Sequence, residues 1–189
     1  MRRWLNCLYD AAGSAAALAL VGICLLVAVQ ISLRLIDNLV FWLWGQRYGL
    51  MVPSVAEMAG YLLAASSFLA LAHAFRRGAH IQVNLLLSRL PEAPRRILEV
   101  CSLALALALT AFFSWHTLLM VLDSWRFGEV SYGIVAIPLW LPQSFMFLGL
   151  VIFAVALLDD LLVMLGGGLP SWRRAALRGE AGDARGHAE

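Results

Sequence analysis

The feature that most constrains this chain is a set of four apolar stretches, each long enough to cross a lipid bilayer as a helix. A spanning helix needs about 20 consecutive, predominantly apolar residues. The stretches that reach this length are residues 11–33, 52–75, 97–122 and 139–165. Their apolar residues run on without the alternation of polar and apolar positions that a membrane β-barrel requires. The pattern predicts an all-α integral membrane protein with four transmembrane helices.

The composition excludes the main soluble classes. Only 14% of the 189 residues are charged and 62% are hydrophobic, whereas a soluble domain has roughly 25% charged residues. The same values exclude a disordered chain, and three cysteines are too few for a disulfide scaffold. A net charge of +2 gives no reason to expect a nucleic-acid partner.

The boundary of the fourth stretch has two interpretations. A span over residues 139–165 would contain Asp159 and Asp160, whereas a span over residues 134–158 would leave both just outside the hydrocarbon. Acidic groups near the C-terminus of a helix oppose the helix dipole. We therefore expect the two aspartates to lie at the wet interface.

The chain outside the four stretches contains no long polar segment and no internal repeat. We therefore predict a single domain over residues 1–168, built as a small four-helix membrane bundle. The remaining residues, 169–189, are polar and are expected to form a disordered cytoplasmic tail.

The arginines predict the orientation of the spans. All 14 basic residues are arginine. The side that holds both termini and the middle loop has Arg2, Arg3, Arg76, Arg77, Arg89, Arg95, Arg96, Arg173, Arg174, Arg178 and Arg185. The opposite side has only Arg34, Arg47 and Arg126. Because positive residues concentrate on the cytoplasmic side, we expect both termini and the middle loop in the cytoplasm.

The first span is expected to remain as an uncleaved anchor. Two arginines, Arg2 and Arg3, precede an apolar run, as they do in a secretory signal peptide. However, the run is longer than the about 7–15 residues of a signal-peptide core. The sequence after it, QISLRLIDN, is also not a small-residue cleavage site.

Residues 34–48 are too polar to continue the first span and too apolar for an ordinary loop. In a helix, one side would hold Arg34, Asp37, Asn38, Gly45 and Tyr48, and the other Leu35, Ile36, Leu39, Val40, Trp42 and Leu43. This predicts an amphipathic interfacial helix after the first span, with Trp42 and Trp44 in the headgroup zone. Such a helix either merely connects two spans or acts as a strut that contacts a partner.

The middle loop predicts a second amphipathic helix, on the cytoplasmic side. Its large aliphatic residues recur at helical spacing: Val83, Leu86, Leu87 and Leu90. Pro91 then ends the pattern. We expect this stripe to meet lipid headgroups or another protein, with Arg76, Arg77 and His80 held among phosphates or partner carboxylates.

Two intramembrane histidines leave a redox function open. Cytochrome subunits ligate haem with histidines from neighbouring helices. Here His73 lies near the inner end of the second span and His116 near the outer end of the third, so one haem cannot reach both. His80 lies in the loop and is too close to His73 in sequence to complete the usual pair. The alternative function is therefore a haem- or quinone-associated membrane anchor subunit of an oxidoreductase.

Glu57 is the acidic residue of the second span and lies near its outer end. We expect it to pair with Arg34, with Arg47 or with a partner subunit, because no acid or base lies at mid-depth to form an ion site or proton relay with it. The sequence shows no nucleophile–base pair, metal cluster or phosphate loop. We therefore expect no catalytic, cofactor-binding or metal-binding residue, and no enzyme activity.

Several short motifs occur in order along the chain. The first span ends in Gln30-Ile31-Ser32-Leu33-Arg34, and Glu57 begins the second. Arg76-Arg77-Gly78-Ala79-His80-Ile81 follows, then Leu90-Pro91 and a proline-containing start of the fourth span. In order and spacing these motifs resemble the DctQ family, the small membrane subunit of tripartite ATP-independent periplasmic (TRAP) transporters.

The resemblance implies sodium-driven secondary transport of an organic acid across the bacterial cytoplasmic membrane. In such a system a periplasmic solute-binding protein captures the carboxylate, and a large multi-span subunit holds the substrate and sodium sites. The small, non-catalytic subunit would brace the large one and help to dock the binding protein. The candidate contacts with these partners and with lipid are Gln30, Arg34, Trp42, Trp44, Glu57, Arg76, Arg77, His80, Val83, Leu86, Leu87 and Leu90.

Overall fold

A computed structural model describes residues 2–76, 91–168 and 170–171 of the chain. The described residues form four long helices: α1 (Arg2–Trp44), α2 (Val55–Arg76), α3 (Glu92–Phe127) and α4 (Trp140–Leu165). Each is long and apolar enough to cross a membrane. The predicted all-α fold with four transmembrane helices is therefore confirmed.

The helix α1 is longer than its apolar stretch, and this changes the predicted interfacial helix. The segment after the first span is helical, as expected, but it continues α1 without a break to Trp44. No glycine or proline lies between Gly22 and Gly45, so nothing interrupts the hydrogen-bond ladder. Gly45 then ends the helix with a left-handed backbone (φ 69°) and donates its N–H to Phe41 O at 2.8 Å, a usual C-terminal arrangement.

The helices α1 and α2 pack side by side along a narrow seam. Up to the level of the start of α2, the less exposed residues of α1 recur in alternating steps of three and four: Tyr9, Ala12, Ala16, Ala19, Ile23, Leu26 and Gln30. This spacing is typical of helices that cross at about 20°. The rest of the α1 surface lies outside the seam.

The four helices of the predicted bundle are arranged as an open row. α1 packs on α2, α2 on α4, and α4 on α3, whereas α1 reaches α4 only through a small contact. One buried cluster joins α1, α2 and α4 around Tyr9 and Ala156, and a second joins α3 and α4 around Leu103 and Leu157. The two outer helices therefore keep wide apolar surfaces exposed.

The two ends of the row differ in what they hold. At the first, which we call the terminal end, Arg76 of α2 meets Tyr9 of α1, and both described chain ends lie there. At the other, the hairpin end, α3 and α4 are joined by a hairpin over residues 128–139, which pairs Val130 with Pro138. The α1–α2 connection lies at the hairpin end.

Gly149 lets the backbones of α2 and α4 approach each other closely. A β-carbon at this position would lie 2.5 Å from the backbone carbonyl carbon of Phe68 and 2.6 Å from its oxygen. Real side chains do not approach backbone this closely, so only glycine allows the two helices to meet here. The contact fixes α2 and α4 as the central pair of the row.

Candidate functional site

A charged cluster ties three helices together at the terminal end. The Arg76 guanidinium of α2 lies 4.5 Å from the centroid of the Tyr9 ring of α1. Its Nη2 also lies 3.5 Å from Asp159 Oδ2 of α4. Both partners of this ion pair are about four-fifths buried, so water screens the attraction less than at an exposed surface. Arg76, a predicted contact residue, thus holds α1, α2 and α4 together.

The histidine of the second span belongs to the same end. His73 Nδ1 lies 3.5 Å from Asp10 Oδ1 of α1. Its ring fits against Gly13, where a β-carbon would lie 2.7 Å from His73 Cγ. The small residue on α1 therefore makes room for this histidine in the α1–α2 seam.

Asp160 differs from the sequence-based expectation. We expected both aspartates at the wet interface, but Asp160 is completely buried. Its Oδ1 accepts the backbone N–H of Ser171 at 3.1 Å, and its Oδ2 accepts the Ser171 hydroxyl. The chain turns at Gly166–Gly168 after α4, and this turn brings Ser171 back over the carboxyl group. Hydrogen bonds from the protein itself therefore satisfy both oxygens of the Asp160 carboxyl group.

Two arginines fasten the start of α3. Arg95 Nε donates to Glu99 Oε1 at 3.0 Å, one helical turn further along. Arg96 donates to the backbone oxygen of Met164, near the end of α4, at 2.8 Å. Terminal carbonyls of a helix lack partners in their own helix, so Arg96 satisfies one of these groups while it connects α3 to α4.

At the hairpin end, Glu57 contacts the α3–α4 hairpin and not the arginines proposed for it. Glu57 Oε2 lies 3.4 Å from the Ser131 hydroxyl. A β-carbon on Gly133 would collide with the Glu57 carboxylate, so this glycine lets the hairpin pass over the start of α2. Arg47 instead lies 4.5 Å from the centroid of the Phe41 ring. The expected pair with Arg34 or Arg47 is not formed among the described residues.

Ser54 provides a second connection between α2 and the hairpin. Its hydroxyl accepts the backbone N–H of Val135 at 3.1 Å. Ser54 has a left-handed backbone (φ 57°), an arrangement uncommon for a residue with a side chain. The hairpin is therefore held against the start of α2 by two separate side chains, Ser54 and Glu57.

The polar side of α1 holds the connection to α2. Gln30 Oε1 accepts the backbone N–H of Val52 at 2.8 Å. Seven residues further along, Asp37 Oδ1 accepts the N–H groups of Tyr48 and Gly49 at 2.9 and 3.0 Å. The chain leaving α1 therefore runs back along the helix, held by Gln30 and by Asp37 of the predicted polar face. Gln30, a predicted contact residue, is used within the chain.

The remaining described contact candidates are exposed. Arg34 lies on α1 between Gln30 and Asp37. Trp42 and Trp44, at the far end of α1, are 84% and 72% exposed. The other candidates lie outside the described residues, and so does the second predicted amphipathic helix: Arg77, His80, Val83, Leu86, Leu87 and Leu90.

The two described intramembrane histidines are far apart. His73 is held by Asp10 at the terminal end, whereas His116 packs on Phe112 of its own helix, with ring centroids 4.4 Å apart. His116 lies 24 residues along α3 from its start at the terminal end, or about 36 Å. Residues 2–76, 91–168 and 170–171 contain no group of His, Cys, Asp and Glu suited to a metal ion.

The structure adds residues that the sequence did not single out. Tyr9 is 2% exposed although it lies near the start of α1. Ser171 donates a hydrogen bond to Asp160 across the turn that follows α4. The available signals were weak: an aromatic residue two positions before the first apolar run, and three consecutive glycines shortly before Pro170.

A comparison with protein families identifies the chain. Residues 23–167 match the family described as tripartite ATP-independent periplasmic transporters, DctQ component. No curated protein and no solved structure is significantly similar to the chain. The match includes α2, α3 and α4 completely and the second half of α1. The redox alternative is not favoured, since this family is a transporter component. The chain therefore belongs to the DctQ family and is the small membrane subunit of a TRAP transporter.

Proposed function

We propose that this chain is a non-catalytic brace in a sodium-coupled TRAP transporter for organic acids. In this proposal it binds the large multi-span subunit, which carries the transport site, and helps to dock the periplasmic solute-binding protein. The family match over residues 23–167 supports the assignment to such a system. Sodium coupling and a carboxylate solute are the further steps of the proposal.

The observation that carries the bracing role is the open row of helices. A chain that worked alone would gain stability by closing its helices around one core, whereas α1 packs mainly on α2 and α3 mainly on α4. Large apolar side chains cover their outer surfaces, among them Leu18 (71% exposed) and Leu105 (62% exposed). In lipid, helices associate by packing. These flanks therefore suit a chain that adds its helices to those of a larger subunit.

The small residues of α2 and α3 offer close contact with partner helices. On α2, Ala56 and Gly60 are exposed, and a β-carbon on Gly60 would meet no atom within 4 Å. On α3, Ala104, Ala108 and Ala111 are exposed along one side. Exposed small residues let helix backbones approach closely in a membrane.

We further propose that the terminal end faces the cytoplasm of a bacterial inner membrane, with residues 1–168 as one membrane domain and 169–189 as a cytoplasmic tail. The arginine distribution supports this orientation. The stripe Val83, Leu86, Leu87 and Leu90 would then lie between membrane and large subunit.

The orientation has a direct test. Alkaline phosphatase folds only outside the cytoplasm, so fusions after Trp44 and after Arg126 are expected to be active. Fusions after Arg89 and after Arg178 are expected to be inactive while still being produced. The reverse pattern would overturn the orientation.

The function is tested with proteoliposomes that contain this chain and the large subunit from the same organism, with the binding protein added outside. A panel of radiolabelled mono- and dicarboxylates, together with uncharged solutes of similar size, is offered with and without an inward sodium gradient. At least one carboxylate should accumulate only with the gradient. Accumulation that does not depend on the sodium gradient, or that occurs only with uncharged solutes, would contradict the proposal.

A further inference from the structure

The last part of α1, residues 31–44, projects beyond the other helices at the hairpin end; we call it the arm. Gln30 lies level with the chain entering α2, since its side chain binds Val52. The helix α2 begins three residues later, at Val55. α1 continues for 14 residues beyond Gln30, which corresponds to about 20 Å of helix.

The arm extends beyond the lipid if α2 spans the membrane. α2 has 22 residues and is about 33 Å long, which just crosses a hydrocarbon layer of about 30 Å. The headgroup layer adds only about 5–8 Å on each side. Because the seam fixes α1 at a small angle to α2, tilting cannot return the arm to the lipid. The turns that carry Leu39, Trp42 and Leu43 therefore lie outside the bilayer.

One side of the arm is apolar and uncovered, and we call it the arm face. Its members lie within about 140° of arc: Ile31, Leu35, Ile36, Leu39, Trp42 and Leu43. Each is between 49% and 84% exposed. The opposite side is occupied, because Asp37 binds the returning chain at Tyr48 and Gly49. The arm is thus fixed in place with its apolar side outward.

The area and chemistry of the arm face indicate its occupant. Its six side chains expose roughly 700 Å², close to the about 800 Å² that each partner buries in a stable interface. Apolar interfaces are typical of permanent complexes, whereas partners that bind and leave meet through more polar surfaces. A solute-binding protein must leave after each delivery, so the arm face suits the permanent partner.

We propose that the arm face is a docking surface for the large membrane subunit, on the part of that subunit that rises above the outer membrane surface. This inference rests on the proposed function. It predicts that the contact between the two subunits extends about 20 Å beyond the end of α2, outside the lipid.

The first test compares two matched double variants of the full chain, each co-expressed with the large subunit. Leu35→Ala with Leu39→Ala alters the arm face, and Leu158→Ala with Leu162→Ala alters two exposed leucines at the same spacing on α4, near the terminal end. The large subunit that co-purifies with the tagged small chain is then measured. Because apolar anchors dominate interface energy, the arm variant should co-purify with at least about tenfold less large subunit than the unaltered chain. The other variant should retain nearly all of it. Trp42→Ala should reproduce the loss.

The second test measures what covers the arm. In a chain with Cys7, Cys24 and Cys101 replaced by serine, a cysteine is introduced as Asn38→Cys, an exposed position at the edge of the arm face, one helical turn from Trp42. Whole cells are treated with a membrane-impermeant maleimide. Without the large subunit the cysteine should react readily, and with it the reaction should slow at least about tenfold. The solute-binding protein alone should not slow the reaction.

The outcomes separate this inference from the function on which it rests. No reaction in either case would mean that lipid covers the arm, and protection by the binding protein alone would mean that the wrong partner is named. Equal retention by both double variants would also overturn the inference while leaving the proposed function intact. If the unaltered chain retains no large subunit, the proposed function itself fails.

Discussion

Gly149→Ala is expected to destabilise the protein more than any other single-methyl substitution in the central helices. The added β-carbon would lie 2.5 Å from the backbone of Phe68, and backbone cannot rotate away as a side-chain end can. Forcing α2 and α4 apart should cost about 2–3 kcal/mol. The measurement is the midpoint of SDS-induced unfolding in mixed micelles, followed by circular dichroism.

Gly60→Ala is the matched control, because Gly60 is a helical glycine of α2 with no atom within 4 Å of an added β-carbon. Alanine also favours helix over glycine by about 1 kcal/mol, so this variant should be as stable as the original or slightly more so. Equal midpoints for the two variants would mean that α2 and α4 do not meet at Gly149.

Asp160→Ala is expected to have an effect of similar size at the terminal end. The substitution removes a completely buried carboxyl group and leaves the N–H and hydroxyl of Ser171 without their acceptors. Leaving a buried hydrogen-bond donor without an acceptor costs about 1–3 kcal/mol. The exposed acid of α3, Asp123, provides the control, and Asp123→Ala should change the unfolding free energy by less than about 0.5 kcal/mol.

A double-mutant cycle with Ser171→Ala shows whether the effect of Asp160 acts through Ser171. Because the two side chains touch, their effects should fall short of additivity by at least about 1 kcal/mol. Strictly additive effects would contradict the contact between α4 and the turn that follows it.

The apolar stretches predicted α2 and α4 to within three residues at each end, because length and hydropathy decide whether a segment can span a membrane. They did not predict that α1 would continue through residues 34–44. The polar residues there indicated a change of environment, and a straight helix can pass through such a change. Only the lack of glycine and proline before Gly45 pointed to continuity.

Which helices pack on one another could not be predicted from composition. In a membrane chain both buried and exposed positions are apolar, so hydropathy does not separate Leu157, which is 1% exposed, from Leu105, which is 62% exposed. The burial of Asp160 was missed for a different reason. It depends on a turn at Gly166–Gly168 that brings Ser171 back to α4, and an acidic residue near a helix end otherwise suggests water.

The most direct test of the account omits this chain from the reconstituted transporter. Proteoliposomes with the large subunit and the solute-binding protein, driven by an inward sodium gradient, are compared with and without the small subunit, and a third set contains the small subunit alone. We expect carboxylate uptake only in the complete set, because the chain supports transport without carrying it out. Uptake by the small subunit alone, or unchanged uptake in its absence, would contradict that claim.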